Sequence, residues 1–165
     1  MPMMLKGSCR CGAVRFTVQS HTPVPYQLCY CSICRKQQGG GGYAINLGAD
    51  ARTLKVDGEE HLGLYRAEIE DGEHPHRETS TGERRFCREC GAALWLYDPT
   101  WPDLVHPFAS AIDSELPKPP ERVHLMLRYK ASWVEPEIHD GDKTFELYPE
   151  ESIAEWHRRR GLWVE

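Results

Sequence analysis

The residues best equipped for chemistry are the 7 cysteines, which fall in three tight groups: Cys9 and Cys11; Cys29, Cys31 and Cys34; and Cys87 and Cys90. Thiols so close in sequence are poorly placed for ordinary disulfides with one another, but well placed to converge on one metal ion. Zinc takes four ligands in a tetrahedron. Its structural sites are often all-cysteine, whereas catalytic sites typically keep three protein ligands and one exchangeable position. Four plus three is therefore the natural division. Cys87-x-x-Cys90-Gly91 has the spacing of a knuckle, in which two thiols leave one turn on the same side and Gly91 permits a positive φ. Cys9-x-Cys11-Gly12 ends the same way and supplies the matching half. Such a site is worth roughly 10–16 kcal/mol of apparent binding energy, comparable to a whole domain's stability.

Cys29, Cys31 and Cys34 are left as a three-ligand site, because no eighth cysteine closes the shell. Other readings stand beside this one. One of the 8 histidines would complete a second structural site. Cys31-x-x-Cys34 has the spacing of a redox pair, although the βαβ context is missing. Iron also accepts four thiolates. Charge counting gives the open site its character: three thiolates around Zn²⁺ leave a net −1, a weak Lewis acid suited to holding an incoming thiol as thiolate.

Around the triplet, Arg35 and Lys36 offer a carboxylate-binding pair or simply a solvated face. Gly39 and Gly40 open the glycine run 39–42, whose N–H groups would reach thiolates or ligand carboxylates, or which acts only as a hinge. No Gly-Lys-Ser/Thr follows, so a phosphate loop is not expected. His74 and His76 lie in a polar stretch and read as exposed. Arg158, Arg159 and Arg160 suit a helix C-terminus, and a net charge of −5 argues against a nucleic-acid partner. No residue stands out as a general acid or base.

The elements that must position these groups are mostly short strands. Residues 6–12 read as a turn presenting two thiols. Val14, Phe16 and Val18 alternate as a half-buried strand, broken by Thr22-Pro23-Val24-Pro25. Residues 32–38 suit a short helix with Ser32 as N-cap, and residues 43–47 resume a strand. Leu54/Val56 and Leu62/Leu64 alternate about the Asp57-Gly58 turn signal. Residues 68–82, with Asp71-Gly72, form an exposed connection. Strands are expected at 92–97, 104–112 and around Val123, Leu125 and Leu127. The clearest helix is 150–160, with Ile153 and Trp156 on its inner face. At 165 residues the chain fits one domain, 1–165. No signal core or membrane-length apolar run is seen, so a cytoplasmic protein with no membrane partner is expected. In that compartment clustered thiols serve as ligands or redox groups rather than as disulfides. Nothing in the sequence specifies an oligomeric state.

Three motifs together resemble one known family. They are Gly7-Ser8-Cys9-Arg10-Cys11-Gly12, Cys29-Tyr30-Cys31-Ser32-Ile33-Cys34-Arg35-Lys36 and Phe86-Cys87-Arg88-Glu89-Cys90-Gly91. The family is that of the glutathione-dependent formaldehyde-activating enzymes, which includes centromere protein V. The resemblance implies a mainly β, Mss4-like fold of small antiparallel sheets around zinc, with a short C-terminal helix. It implies two Zn²⁺ per chain. Cys9, Cys11, Cys87 and Cys90 would hold the structural ion, and Cys29, Cys31 and Cys34 the catalytic and more labile one. It further implies a carbon–sulfur lyase that forms or cleaves S-hydroxymethylglutathione, with a small thiol such as glutathione and a small aldehyde, formaldehyde, as partners. A non-catalytic zinc-binding thiol carrier or interaction module on the same scaffold is the alternative.

Overall fold

The computed structural model describes residues 1–38, 40–69 and 78–165. The expectations placed on Gly39, on the Asp71-Gly72 turn and on His74 and His76 lie outside the described residues. The chain is mainly β, in small sheets of three, five, four and two strands, with a short helix Ile153–Arg159 near its end.

The alternation of Val14, Phe16 and Val18 produces the strand Arg15–Ser20, whose Phe16, Val18 and Ser20 are buried. Its antiparallel partner is Met3–Ser8, in register from Met3↔Ser20 to Ser8↔Arg15. The turn expected at 6–12 is therefore shorter. Lys6, Gly7 and Ser8 continue the strand, and Gly7 allows this because a side chain there would collide with the Phe16 ring. Lys55–Asp57 completes this three-stranded sheet. The pair expected about Asp57-Gly58 is not a hairpin, since Leu62–Tyr65 joins the five-stranded sheet instead. That sheet runs Ala49–Asp50, Leu104–Pro107, Ala93–Tyr97, Glu83–Cys87, Leu62–Tyr65, antiparallel throughout. The strand expected over 104–112 stops at Pro107, which has no N–H to donate, and a 3₁₀ turn Ala109–Ala111 follows.

The four-stranded sheet departs from the antiparallel expectation. Gln27–Cys29 pairs in parallel with Val123–Leu125, which pairs in parallel with Lys143–Thr144; only Ala44–Ile45 is antiparallel. Long excursions separate the parallel strands, as such pairing requires. Of residues 43–47 only Ala44 and Ile45 form a strand. Leu47 turns away, its N–H donating to Pro107 O at 2.9 Å. The closing helix begins with a capping box: Ser152 Oγ accepts from Glu155 N, and the Glu155 carboxylate accepts from Ser152 N. Trp156, fully buried on its inner face, stacks on Tyr26 with ring centroids 3.7 Å apart.

Two main cores result, and each contains cysteines. Cys9 and Cys87 pack with Leu5, Phe16, Leu94, Trp95 and Val105. Cys29 and Cys34 pack with Tyr26, Val123, Leu125 and Trp156. Among the described residues no helix is long and apolar enough to cross a membrane.

Gly58 ties the three-stranded sheet to the segment that leaves it. Its φ is +89°, and a side chain there would run into the carbonyl oxygen of Ala13. Gly58→Ala is predicted to lower stability by about 3 kcal/mol in urea denaturation. Gly161→Ala has positive φ but open space, and should cost only about 1 kcal/mol. Equal losses would show that the Ala13 contact yields.

Candidate metal centres

The first centre is built from two knuckles. The turn between Met3–Ser8 and Arg15–Ser20 is closed by Cys9 N–H to Val14 O at 3.0 Å and Gly12 N–H to Cys9 O at 3.3 Å, with Gly12 at φ +82°. The second knuckle is closed by Cys87 N–H to Ala92 O at 2.9 Å and Gly91 N–H to Cys87 O at 2.8 Å, with Gly91 at φ +78°. Together they bring the sulfurs of Cys9, Cys11, Cys87 and Cys90 within 4.8 Å of one another.

The spacing fits a metal ion. A tetrahedron with zinc–sulfur arms of about 2.3 Å has edges of about 3.8 Å. The Cys9–Cys11 and Cys11–Cys87 sulfurs are 3.6 and 3.8 Å apart. A disulfide would need about 2.05 Å, and all seven cysteines are free.

The sulfurs cannot ionise independently. Burial pushes the Cys9 thiol up, but the Val14 N–H at 3.3 Å, with Cys11 and Cys87, brings it below its ordinary value. Backbone N–H groups near Ala92 and Cys11 bring Cys90 down to about 6. The Ala13 N–H lowers Cys11, yet burial and its three sulfur neighbours outweigh it and push that thiol up to about 12. A divalent cation is what lets all four be thiolates at once.

The second centre sits where the four-stranded sheet meets the helix Ser32–Gln38. Cys29 ends the inner strand Gln27–Cys29, and Tyr30 N–H donates to Leu125 O at 3.1 Å. The expected N-cap Ser32 is already helical. Cys31 takes that place: its sulfur accepts from Cys34 N at 3.3 Å and its carbonyl from Arg35 N at 3.0 Å. A hydroxyl there would only cap the helix; a thiolate both caps it and remains a ligand. Cys34 lies one turn on, and the three sulfurs are within 4.8 Å of one another.

Tyr30 holds this loop from behind. Extended backbone sends it opposite to Cys29 and Cys31, where its hydroxyl meets His124 Nδ1 at 2.9 Å. His124 Nε2 lies 3.0 Å from Asp142 Oδ2, with the two side chains 1% and 3% exposed. A carboxylate only accepts, so Nε2 carries the proton and Nδ1 accepts from the tyrosine. Burial raises the Asp142 carboxyl, but His124 and the N–H groups of Arg122 and His139 outweigh it and keep it below its usual range.

The triplet opens on a cavity of ≈ 410 Å³ whose lining includes Gln27, Asn46, Arg84, Leu96, His106 and Tyr148. The five-stranded sheet supplies one wall. Arg84 pairs with Leu96 and Leu96 with His106, so these three stand side by side across adjacent strands. Cys87, three residues beyond Arg84, faces the other side of the sheet by strand alternation. One sheet thus serves both centres, one on each face. His106 Nδ1–H donates to Leu47 O at 2.9 Å, and burial lowers its affinity for a second proton. Arg84 Nη2 lies 3.7 Å from Cys34 Sγ.

Hydrogen bonding to Cys29 and Cys31, reinforced by Arg84, makes Cys34 the easiest of the three to ionise. Cys31 first, then Cys34 and burial, drive Cys29 up. Cys31 is lowered by Cys29, but Cys34 and burial raise it overall. Without a cation this set carries one favoured thiolate, and the remaining two need the metal's charge.

The seven cysteines thus gather in one cluster of four and one of three, each able to hold a metal ion. Arg35, Lys36 and Gly40 do not line the cavity; the first two follow Cys34 on the helix and the third lies beyond its end. Arg84, His106 and Asn46 line the cavity, and nothing in the sequence singles them out. The first two sit in strands far from the triplet in sequence, and no local motif marks them.

Fold and site define a β-rich protein with two cysteine clusters able to hold metal ions, one closed and one open to a cavity. The chain belongs to the glutathione-dependent formaldehyde-activating enzyme family, whose sequence pattern matches residues 4–126. It is 64% identical over 160 residues to a Halomonas elongata protein provisionally named a glutathione-dependent formaldehyde-activating enzyme, covering 97% of this chain and 98% of that one. A crystal structure of a Rhodobacter sphaeroides protein aligns with a TM-score of 0.49 at 28% identity, over 68% of this chain and 91% of that one.

Metal analysis should find two ions per chain. Cys31→Ser should stay folded and retain one, whereas Cys87→Ser should unfold or aggregate. Two ions retained by Cys31→Ser would contradict the assignment. Tyr30→Phe should cost about 1–3 kcal/mol and speed loss of the second ion to a chelator, without changing loss of the first.

Proposed function

We propose that this protein is a zinc-dependent carbon–sulfur lyase that joins the thiol of glutathione, or of another small thiol, to formaldehyde, and cleaves the product in the reverse direction. The observation that carries this reading is the arrangement of Cys29, Cys31 and Cys34: three sulfurs within 4.8 Å, facing a cavity of ≈ 410 Å³. The family and the name of the Halomonas elongata relative support the choice of thiol and aldehyde. Zinc held by the triplet would deprotonate a thiol at its fourth position and keep it as a thiolate.

The chain's own residues do the rest. Leu96, Leu125, Met126 and Ile153 line the cavity with apolar surface and limit water at the reacting sulfur. His106 has committed its Nδ1–H to Leu47 O, which leaves Nε2 with a lone pair to take the thiol proton and return it to the aldehyde oxygen. The balance is complete: a sulfur–carbon bond forms, the carbonyl π bond breaks, and the proton moves from sulfur to oxygen. A second cavity of ≈ 910 Å³ shares Gln27, His106, Tyr148 and Ile153 with the first, giving a peptide-sized thiol room to extend. Arg35, Lys36 and Gly40 act on the ligand only where it reaches beyond these walls. The cytoplasm, where glutathione is reduced, is the place such a reaction belongs.

X-ray absorption at zinc should show added glutathione raising the average sulfur coordination, as the second site passes from three sulfurs to four. An unchanged first shell would overturn the proposal. His106→Gln should lower the catalysed rate of adduct formation roughly 100-fold with both metals retained. A wild-type rate no faster than the uncatalysed reaction would favour the thiol-carrier alternative.

A further inference from the structure

Arg84 is a buried cation with no carboxylate partner among the described residues. It is 8% exposed, its Nη2 lies 3.7 Å from Cys34 Sγ, and its Nη1 has no hydrogen-bond partner among the described residues. The neighbouring Arg85, by contrast, reaches Glu83, as does Arg66. Burying an unpaired guanidinium is costly, so such a group persists only opposite negative charge. The other charged or ionisable members of the cavity lining do not supply a buried carboxylate. Glu68 is exposed, and burial disfavours the charged form of His106 although its bond to Leu47 O works the other way. Gln27 Oε1 and Asn46 Oδ1, also without partners, carry no net charge. Among the described residues, the negative charge that faces Arg84 comes from the sulfur triplet.

The charge balance then changes in a specific way. Three thiolates and Zn²⁺ leave −1, and Arg84 brings the site to zero. A fourth thiolate would take the sulfur-bound ion to −2, and with Arg84 the whole site to only −1. The geometry points to Arg84 as the positioning residue that makes the open site accept an anionic fourth ligand: its fixed charge selects a thiolate over neutral ligands of similar size. This inference rests on the reading of the triplet as a thiol-binding site and gives that site its ligand preference. At a separation of about 6 Å and an effective dielectric constant near 20, one full charge changes thiolate affinity by roughly 100-fold.

The test uses Co²⁺-substituted protein, in which a new sulfur ligand adds sulfur-to-metal charge-transfer absorption while the closed four-cysteine site stays constant. 2-Mercaptoethanol and imidazole are titrated as anionic and neutral fourth ligands. Arg84→Gln keeps a donor beside Cys34 but removes the charge. It should bind 2-mercaptoethanol roughly 10–100-fold more weakly, with imidazole binding changed less than about threefold. Arg84→Lys keeps the charge and should retain thiol affinity within about tenfold of wild type. If Arg84→Gln does not hold two metals, the lysine variant carries the test alone, and a larger loss there overturns the inference. Wild-type thiol affinity in Arg84→Gln, or equal weakening of thiol and imidazole, also overturns it. Failure of the wild-type protein to respond to 2-mercaptoethanol would instead overturn the thiol-site reading itself, and this inference with it.

Discussion

Crowded sulfur is the constraint on which the rest of the structure depends. Seven thiols are gathered into two sets, each with its sulfurs within 4.8 Å of one another and none joined as a disulfide. As thiolates they repel; as thiols they are poor ligands. A cation would resolve that conflict, and at the four-cysteine site its binding would be coupled to folding. Cys9 and Cys11 come from a hairpin of the three-stranded sheet, whereas Cys87 and Cys90 come from the five-stranded sheet. An ion there would tie together two sheets that also meet through the edge-on contact of Phe16 with Trp95.

The open site obeys the same constraint with a different outcome. Its loop is anchored from behind by Tyr30, His124 and Asp142, so Cys29 and Cys31 are positioned without a fourth protein sulfur. Its front is left to a cavity, and the wall opposite comes from the five-stranded sheet that carries Cys87 on its other face. Structural rigidity and chemical openness thus come from two sides of the same strands.

Much of this was legible in the sequence, because the relevant signals are local. Two knuckles ending in glycine, an alternating strand at Phe16 and Val18, and a seven-residue helix starting at Ser32 are each written in a few consecutive residues. The capping box at Ser152 and Glu155 is written there too. What escaped depends on pairing between distant segments. Gln27–Cys29 lies parallel to Val123–Leu125, and no periodicity announces that choice of partner. Arg84 looks like one of three basic or acidic residues in a polar run, Glu83-Arg84-Arg85, until strand alternation and the position of the triplet put only Arg84 inside. Arg35 and Lys36 adjoin Cys34 in sequence, but a helix turns successive side chains away from one another.

The central claim is that the seven cysteines form two unlike metal sites, one saturated and one with a place for a thiol. Cadmium-113 NMR of the Cd²⁺-substituted protein tests it directly. Two resonances are predicted: one at a four-sulfur position that ignores added glutathione, and one at a three-sulfur position that moves to the four-sulfur region as glutathione is titrated. A single resonance, or two four-sulfur resonances both indifferent to the thiol, would contradict the account.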